Sequence, residues 1–369
     1  MTGEAVPAGA APRDRIPVWL LVVLLILGGL GILAYSFRPL VRTFPSEAGA
    51  SVLLMAVTGV VGWWLLRRVR PFRPPPAGWS LAALLWGMTA ATGCAILANG
   101  GLQDIWARTR GIAFASDWSA SLTAPINEEL LKLAGLGLLV IASPRLIRGP
   151  MDGFLYGGLI GLGFQITENW TYAMNNVVYT GATSGQVAVM QSFAVRVLLT
   201  GIGTHWTMTA VAGTGLAVAL TCRRWPMRWP AAIGLLLLAM AMHFLFNTPW
   251  LPNIVGSLAK AMTNFVLAGA VYLVLRARVW HRASVLTGRY EPGAAPRPPL
   301  VPPPAIVAPM CPTPDDLLRR GARRRLIHRM PDRAGQVVAV GRVEEYLDTV
   351  ERYAFGTRSL RRTLPPPAG

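Results

Sequence analysis

The chain is expected to be all-α: a polytopic bundle of about eight transmembrane helices, followed by a Pro-rich linker and short amphipathic helices in a cytoplasmic C-terminal tail. Three observations predict it. Hydrophobic residues make up 53% of the chain and charged residues 14%, against about 25% charged in a soluble domain. Apolar runs recur, each near the roughly 20 residues needed to cross the hydrocarbon core. The net charge of +18 is almost all arginine, and the arginines gather at alternate run ends.

Residues 1–15 form a small, Pro/Ala-rich tail ending in Arg13 and Arg15. Residues 16–37 are apolar throughout. They are too long for a signal h-region and lack a small-x-small cleavage site, so they read as a retained first span. Residues 48–66 are the second span, closed by Arg67, Arg68, Arg70 and Arg73 among prolines. Residues 78–98 are the third, and 100–117 read as a mixed loop. The fourth span is 120–142. The turn at Arg145 and Arg148 leads to the fifth, 152–174, and a polar segment, 175–191, leads to a long sixth, 193–220. Arg223, Arg224 and Arg228 mark the next edge. The seventh runs over 230–248 and the eighth over 253–275, before Arg276, Arg278, His281 and Arg282. With the N-terminus cytoplasmic, the inside segments hold most of the basic residues, so both termini are expected in the cytoplasm. Arg196, at the outer end of span six, is the exception and calls for a specific partner.

After about Ser284 the composition changes. Residues 291–314 are a Pro-rich, PPII-like linker. Residues 315–329 are a basic helix candidate. Residues 342–354 repeat apolar side chains at Val343, Tyr346, Leu347, Val350 and Ala354, a helical stripe. Such a tail is expected to lie on anionic lipid at the cytoplasmic face, where each basic residue contributes about 1 kcal/mol, or else to stay solvated. No aromatic–basic module is present, so no nucleic-acid partner is expected. Four units follow: the tail 1–15, accessory spans 16–119, a core over 120–276, and the basic tail 277–369. Cys94, Cys222 and Cys311 show no metal or redox spacing.

The core is singled out by ionisable groups inside apolar runs. Asn127-Glu128-Glu129-Leu130-Leu131-Lys132 lies within span four, where each charge costs roughly 2.5–3.5 kcal/mol on insertion scales. The chain has only two lysines, Lys132 and Lys260, both in or beside apolar runs. Glu128 and Lys132 are four apart and can pair on one face, with Gly135 seven beyond Glu128. Glu129 points about 100° away, toward a different neighbour. Span five carries Gly153, Gly157 and Gly161, a small-residue face for close helix approach, with Glu168 seven residues further on the same face and Asn169 beside it. Span six repeats Gly201, His205, Thr209 and Gly213 at four-residue spacing. Span seven places His243 and Asn247 four apart.

Counted at 1.5 Å per residue, Glu128, Glu168, His205 and His243 all lie roughly 8–18 Å below the outer surface. That agreement in depth predicts one cavity, opening outward and holding water. Three carboxylates and two imidazoles suit water activation, and His and Asn donors suit oxyanion binding. The set is also compatible with a metal such as zinc, held by His205, His243 and Glu168, although no HExxH motif occurs. Metal or glutamate chemistry stays open on these residues.

At these positions the chain resembles the PrsW family of intramembrane proteases, within the CAAX-protease and bacteriocin-processing superfamily. The resemblance rests on EELLK at 128–132, GFQITEN at 163–169, His205, and HFLFN at 243–247. It implies a peptidase that clips a membrane-anchored protein substrate near the extracytoplasmic face, an anti-sigma factor being the type case. It further implies that Glu128 activates water with Glu129 in support, that His243 and Asn247 bind the oxyanion, and that His205 is a ligand or base. Related CAAX proteases end the second motif in histidine, where this chain has Glu168. The rival readings are a non-catalytic membrane scaffold and a proton-coupled transporter. Against the transporter, no inverted repeat and no broken helix beyond ordinary glycines is visible.

Overall fold

A computed structural model describes residues 16–222, 226–288, 300–311, 314–330 and 332–356. The expected tail at 1–15, the edge residues Arg223 and Arg224, and residues 291–299, 312 and 313 of the Pro-rich linker lie outside them; the described part of the linker includes a 3-10 turn at Ala308–Met310. Among the described residues every regular element is helical. The helices are α1 (Ile16–Thr43), α2 (Pro45–Val69), α3 (Ala77–Trp86), α4 (Thr92–Arg110), α5 (Ile112–Ala142), α6 (Pro150–Tyr179), α7 (Gly185–Phe193), α8 (His205–Thr221), α9 (Arg228–Asn247), α10 (Ile254–Leu286), α11 (Arg320–His328) and α12 (Arg333–Ala354).

Five helical stretches are long and apolar enough to cross a membrane: Pro17–Thr43, Pro45–Val69, Ala77–Arg110, Arg228–Asn247 and Ile254–Leu286. A sixth is the bent pair Gly185–Leu199 and Gly201–Thr221. This is a membrane protein. The stretches expected as spans four and five, in α5 and α6, fall outside that set. They hold the charged and polar groups; α6 is enclosed by the others, while α5 keeps an exposed apolar face at Ile126, Leu130 and Ile141.

α6 is the centre of the bundle. From Met151 to Ile166 every residue on it is buried. It packs most heavily on α8, then on α2 and α3. The α6–α8 contact is as close as backbones allow: a Cβ added at Gly157 would collide with the carbonyl of Thr209, and one at Gly161 with that of His205. Glycines at four-residue spacing on α6 therefore set the depth at which α8 sits.

The structure alters several expected boundaries. α3 and α4 are joined through a π-turn at Gly87–Ala91, so the expected loop at 100–117 is instead helix to Arg110, with α5 starting at Ile112. Span six is not one helix. A π-helical stretch, Ala194–Leu199, and a 3-10 turn, Gly201–Gly203, break it, with a bend of 49°. The expectation of unbroken helices is corrected here. α10 continues to Leu286, eleven residues past the expected end, so Arg276, Arg278, His281 and Arg282 ride on the same helix.

The C-terminal stripe is used differently from the reading of a surface helix. Val343, Tyr346, Leu347, Val350 and Ala354 of α12 are buried, and α12 packs against α10. Apolar area therefore goes to protein contact and not to lipid. At the same place Glu351, fully buried, takes Arg70 Nη1 at 2.9 Å, Arg73 Nε at 2.9 Å and Arg148 Nη1 at 2.8 Å. Arg70 also reaches Asp152 Oδ1 at 2.9 Å. Burial of these arginines is offset by paired carboxylates, and Arg70 is held strongly protonated: burial acts against its charge, but Asp152 and Glu351 outweigh it.

Candidate active site

α5 supplies the first three groups. One helical turn separates Glu128 and Glu129 from Lys132, so the ammonium lies 3.4 Å from Glu128 Oε2 and 2.9 Å from Glu129 Oε1. The expected Glu128–Lys132 pair is thus the longer of the two, and Glu129 is the closer partner. Lys132 Nζ also sits 3.0 Å from His205 Nδ1 and 4.0 Å from the centre of the Phe164 ring. All these charged groups are at or near full burial. They tolerate this only because they are paired with one another.

The break in span six delivers the next group. Ending the 3-10 turn at Gly203 makes His205 the first residue of α8, with its side chain directed at α5 and α6. The turn fits because a Cβ at Gly203 would collide with the carbonyl of Ala261. Asn264 Nδ2, from α10, donates to the carbonyls of Gly203 (3.2 Å) and Met242 (3.1 Å). Asn264 therefore ties the break to the turn of α9 that bears His243. One turn along α8, Thr209 Oγ1 donates to Glu129 Oε2 at 2.9 Å.

Each imidazole is backed by a carboxylate. His205 Nε2 lies 2.7 Å from Glu168 Oε2, and His243 Nδ1 lies 3.2 Å from Glu129 Oε1. The opposite nitrogens converge: His205 Nδ1 and His243 Nε2 are 3.8 and 3.7 Å from Glu128 Oε2. The two rings meet edge to face, 4.9 Å between centres. Glu168 is half-buried at the rim, and its Oε2 takes Arg196 Nη2 at 2.7 Å. Arg196 Nε donates to Asn169 Oδ1 at 2.9 Å. The anomalous outer arginine has its partners, and both are predicted site residues.

The structure brings together Glu128, Glu129, Lys132, Glu168, His205 and His243, with Asn169 one bond further out through Arg196. Asn247 stands one turn beyond His243, half-buried, and among the described residues no hydrogen bond ties it to the cluster. The expected water-filled cavity is corrected: the groups pair with one another in a closed cluster, with Glu128 3% and His205 2% exposed. The expected metal set is corrected too. Glu128, not Glu168, joins His205 and His243: one ligand atom from each lies within 4.8 Å of the others. Glu168 instead stands behind His205.

Sequence reasoning missed Asn99 of α4. Its Nδ2 donates to Glu128 Oε1 at 2.9 Å, while its Oδ1 accepts from Asn127 Nδ2 at 3.0 Å. The signal was a polar residue toward the end of an apolar run, in a stretch read as running into a loop. Asn264 was missed as well, since one asparagine in an apolar helix carries no motif.

The residues present fit a divalent metal. Carboxylate–imidazole pairs behind two histidines are the arrangement that orients metal ligands. His243 Nε2 is a buried polar atom with no hydrogen-bond partner, and it points into the triangle of donors. Two imidazoles and a carboxylate form a recognised zinc-binding set. Three carboxylates against Lys132 and Arg196 leave one formal negative charge, so the cluster's net charge does not oppose a cation.

No curated protein and no solved structure matches the chain. A family model, described as PrsW family intramembrane metalloprotease, matches residues 75–276. That is just over half of the chain, and it spans α3 to α9 and most of α10, and with them every group of the cluster. With two imidazoles and three carboxylates assembled on four helices inside that stretch, the chain belongs to the PrsW family of intramembrane proteases.

Proposed function

We propose that this peptidase hydrolyses a membrane-anchored protein near the extracytoplasmic boundary, with a divalent metal held by Glu128, His205 and His243. The single observation that carries the reading is His243 Nε2, buried and unpartnered, aimed at Glu128 Oε2 and His205 Nδ1. Zinc would supply Lewis acidity for activating a water and polarising a carbonyl.

The chain's own groups do the rest. Glu129 and Glu168 fix which nitrogen of each imidazole faces inward. Thr209 and Lys132 hold Glu129 in place. Lys132 and His205 share one contact, so a cation taking His205 Nδ1 leaves the ammonium to Glu129, its closer partner. Asn99 holds Glu128 Oε1, which leaves Oε2 for the site. Glu168, at the half-buried rim, is the carboxylate placed to exchange a proton with a substrate or entering water. Asn247, one turn past His243 on α9, is the proposed oxyanion donor. An anti-sigma-type substrate is the type suggested by the family.

α5 and α6 would complete eight spans, with both termini in the cytoplasm by the arginine distribution. The α11 arginines are the groups proposed to meet anionic lipid at that face.

The test compares membrane proteomes of cells making wild type or Glu128→Ala at equal levels. The expected result is a membrane-anchored protein shortened near its extracytoplasmic boundary only with wild type. Identical proteomes, with the variant inserted, would overturn the protease reading in favour of a scaffold. Zinc in purified wild type but not in His243→Ala is expected. Cleavage unaffected by exhaustive chelation would overturn the metal.

A further inference from the structure

Over α6, α1 and α2 diverge from one another and leave a groove of about 830 Å³. Leu30, Leu33 and Phe37 line one wall, Met55, Ala56 and Val60 the other, and Ile166 and Trp170 the floor. The lining offers almost no polar group. Thr167 Oγ1 is already donated to the carbonyl of Met88 at 2.8 Å, and the Trp170 indole to that of Ala48 at 3.4 Å. The exceptions are Arg38 and Arg42, which close one end. They are four apart on α1, hence on one face, and both are exposed. Neither is ion-paired among the described residues.

We infer that this groove binds an anionic phospholipid, with acyl chain between α1, α2 and α6 and phosphate on Arg38 and Arg42. Charge at one end only, on an otherwise apolar trough, is the complement of a lipid. A volume of about 830 Å³ lies in the usual range for small-molecule sites.

The floor gives the site a consequence. Ile166, Thr167 and Trp170 are on the turns of α6 that carry Glu168 on their other side. Gly59 on α2 faces Ile166, where an added Cβ would stand 3.0 Å from Cδ1. Filling the groove supports from behind the helix that holds Glu168 against His205.

The test is native mass spectrometry of the full chain with equimolar phosphatidylglycerol and phosphatidylcholine. One phosphatidylglycerol is expected to be retained by wild type. Arg38→Gln/Arg42→Gln is expected to weaken retention on the order of 30-fold, two basic contacts being lost. Ala56→Trp, which fills the trough from an exposed position on α2, is expected to abolish it. Val60→Trp, from the exposed edge of the same wall, is a second blocking variant, each checked for an unchanged melting transition. Equal retention of the two lipids by wild type, or retention unchanged in both blocking variants, would overturn the site. A co-purifying membrane peptide displaced by Ala56→Trp, with lipid unaffected, would overturn it in favour of a protein occupant.

Discussion

Glu129 Oε1 stands 3.2 Å from His243 Nδ1, and this contact leaves the ring's other nitrogen, buried and without a partner, facing Glu128. The proposed roles of the two adjacent glutamates rest on this pair. Glu128 would present an oxygen to the metal, and Glu129 would act through His243.

The first expectation separates those roles. Glu129→Gln keeps shape but weakens orientation of His243, so metal affinity or cleavage should fall roughly 10–100-fold, the cost of losing a carboxylate behind a ligating histidine. His243→Ala should abolish cleavage. Zinc content alongside cleavage rate checks both, since Glu129→Gln should regain rate as zinc is raised and His243→Ala should not.

Lys132 is a cation already seated among the acids, 2.9 Å from Glu129 and 3.0 Å from His205 Nδ1. Its removal deepens the negative charge of the cluster. Lys132→Met should therefore hold zinc at lower free zinc than wild type, by about tenfold or more for a buried pair, while cleavage falls because Glu129 loses its anchor. Titration of the purified variant with a competing chelator gives the sign.

Arg196 is the outer partner of Glu168 and Asn169. Arg196→Met leaves Glu168 half-buried with only His205, and cleavage should drop about 10- to 100-fold while the fold persists. Arg196→Lys should recover little, because one ammonium cannot serve both acceptors of the guanidinium fork. Cleavage of a fixed substrate by the three proteins decides it.

The C-terminal helix is latched through Glu351. Glu351→Ala leaves Arg70 buried with Asp152 alone and strips a partner from Arg73 and Arg148. Breaking a buried pair of this kind costs about 3–5 kcal/mol, enough to free α12 from α10. Limited proteolysis should then remove the tail from the variant and spare it in wild type.

The same latch should depend on acid. Asp348 takes Arg73 and Arg148, each at 3.0 Å, and Arg352 at 2.6 Å. Partial burial acts to raise its pKa, but the hydrogen bond from Arg352 and the surrounding arginine charges outweigh it and hold the carboxyl below the usual aspartate range. A carboxyl depressed in the docked form stabilises docking above its free value. That contribution is whole above about pH 4 and is lost as pH falls through the depressed value. Tail protection from an acid-active protease should therefore decline below about pH 4, and less in Asp348→Asn, which has no such charge to lose.

The membrane class, most helix cores and the members of the buried polar cluster were legible in the residues. Charges inside apolar runs cost too much to be there without partners, so Glu128, Glu129, Lys132, Glu168, His205 and His243 announced themselves one by one. Glycine spacing on α6 announced a close helix contact, and the structure shows α8 as the partner. Counting residues from run ends was enough to put four of these groups at one depth.

Pairing among those groups was decided only by tertiary structure. Depth is a one-dimensional quantity, fixed by rise per residue; which oxygen meets which nitrogen depends on helix rotation and on breaks. The break at Gly201–Gly203 turns His205 inward and replaces Glu168 with Glu128 in the donor triangle, and no local pattern encodes a 49° bend. Burial of the α12 stripe against α10, in place of lipid, was equally beyond sequence, because an apolar face records that it must be covered and not by what.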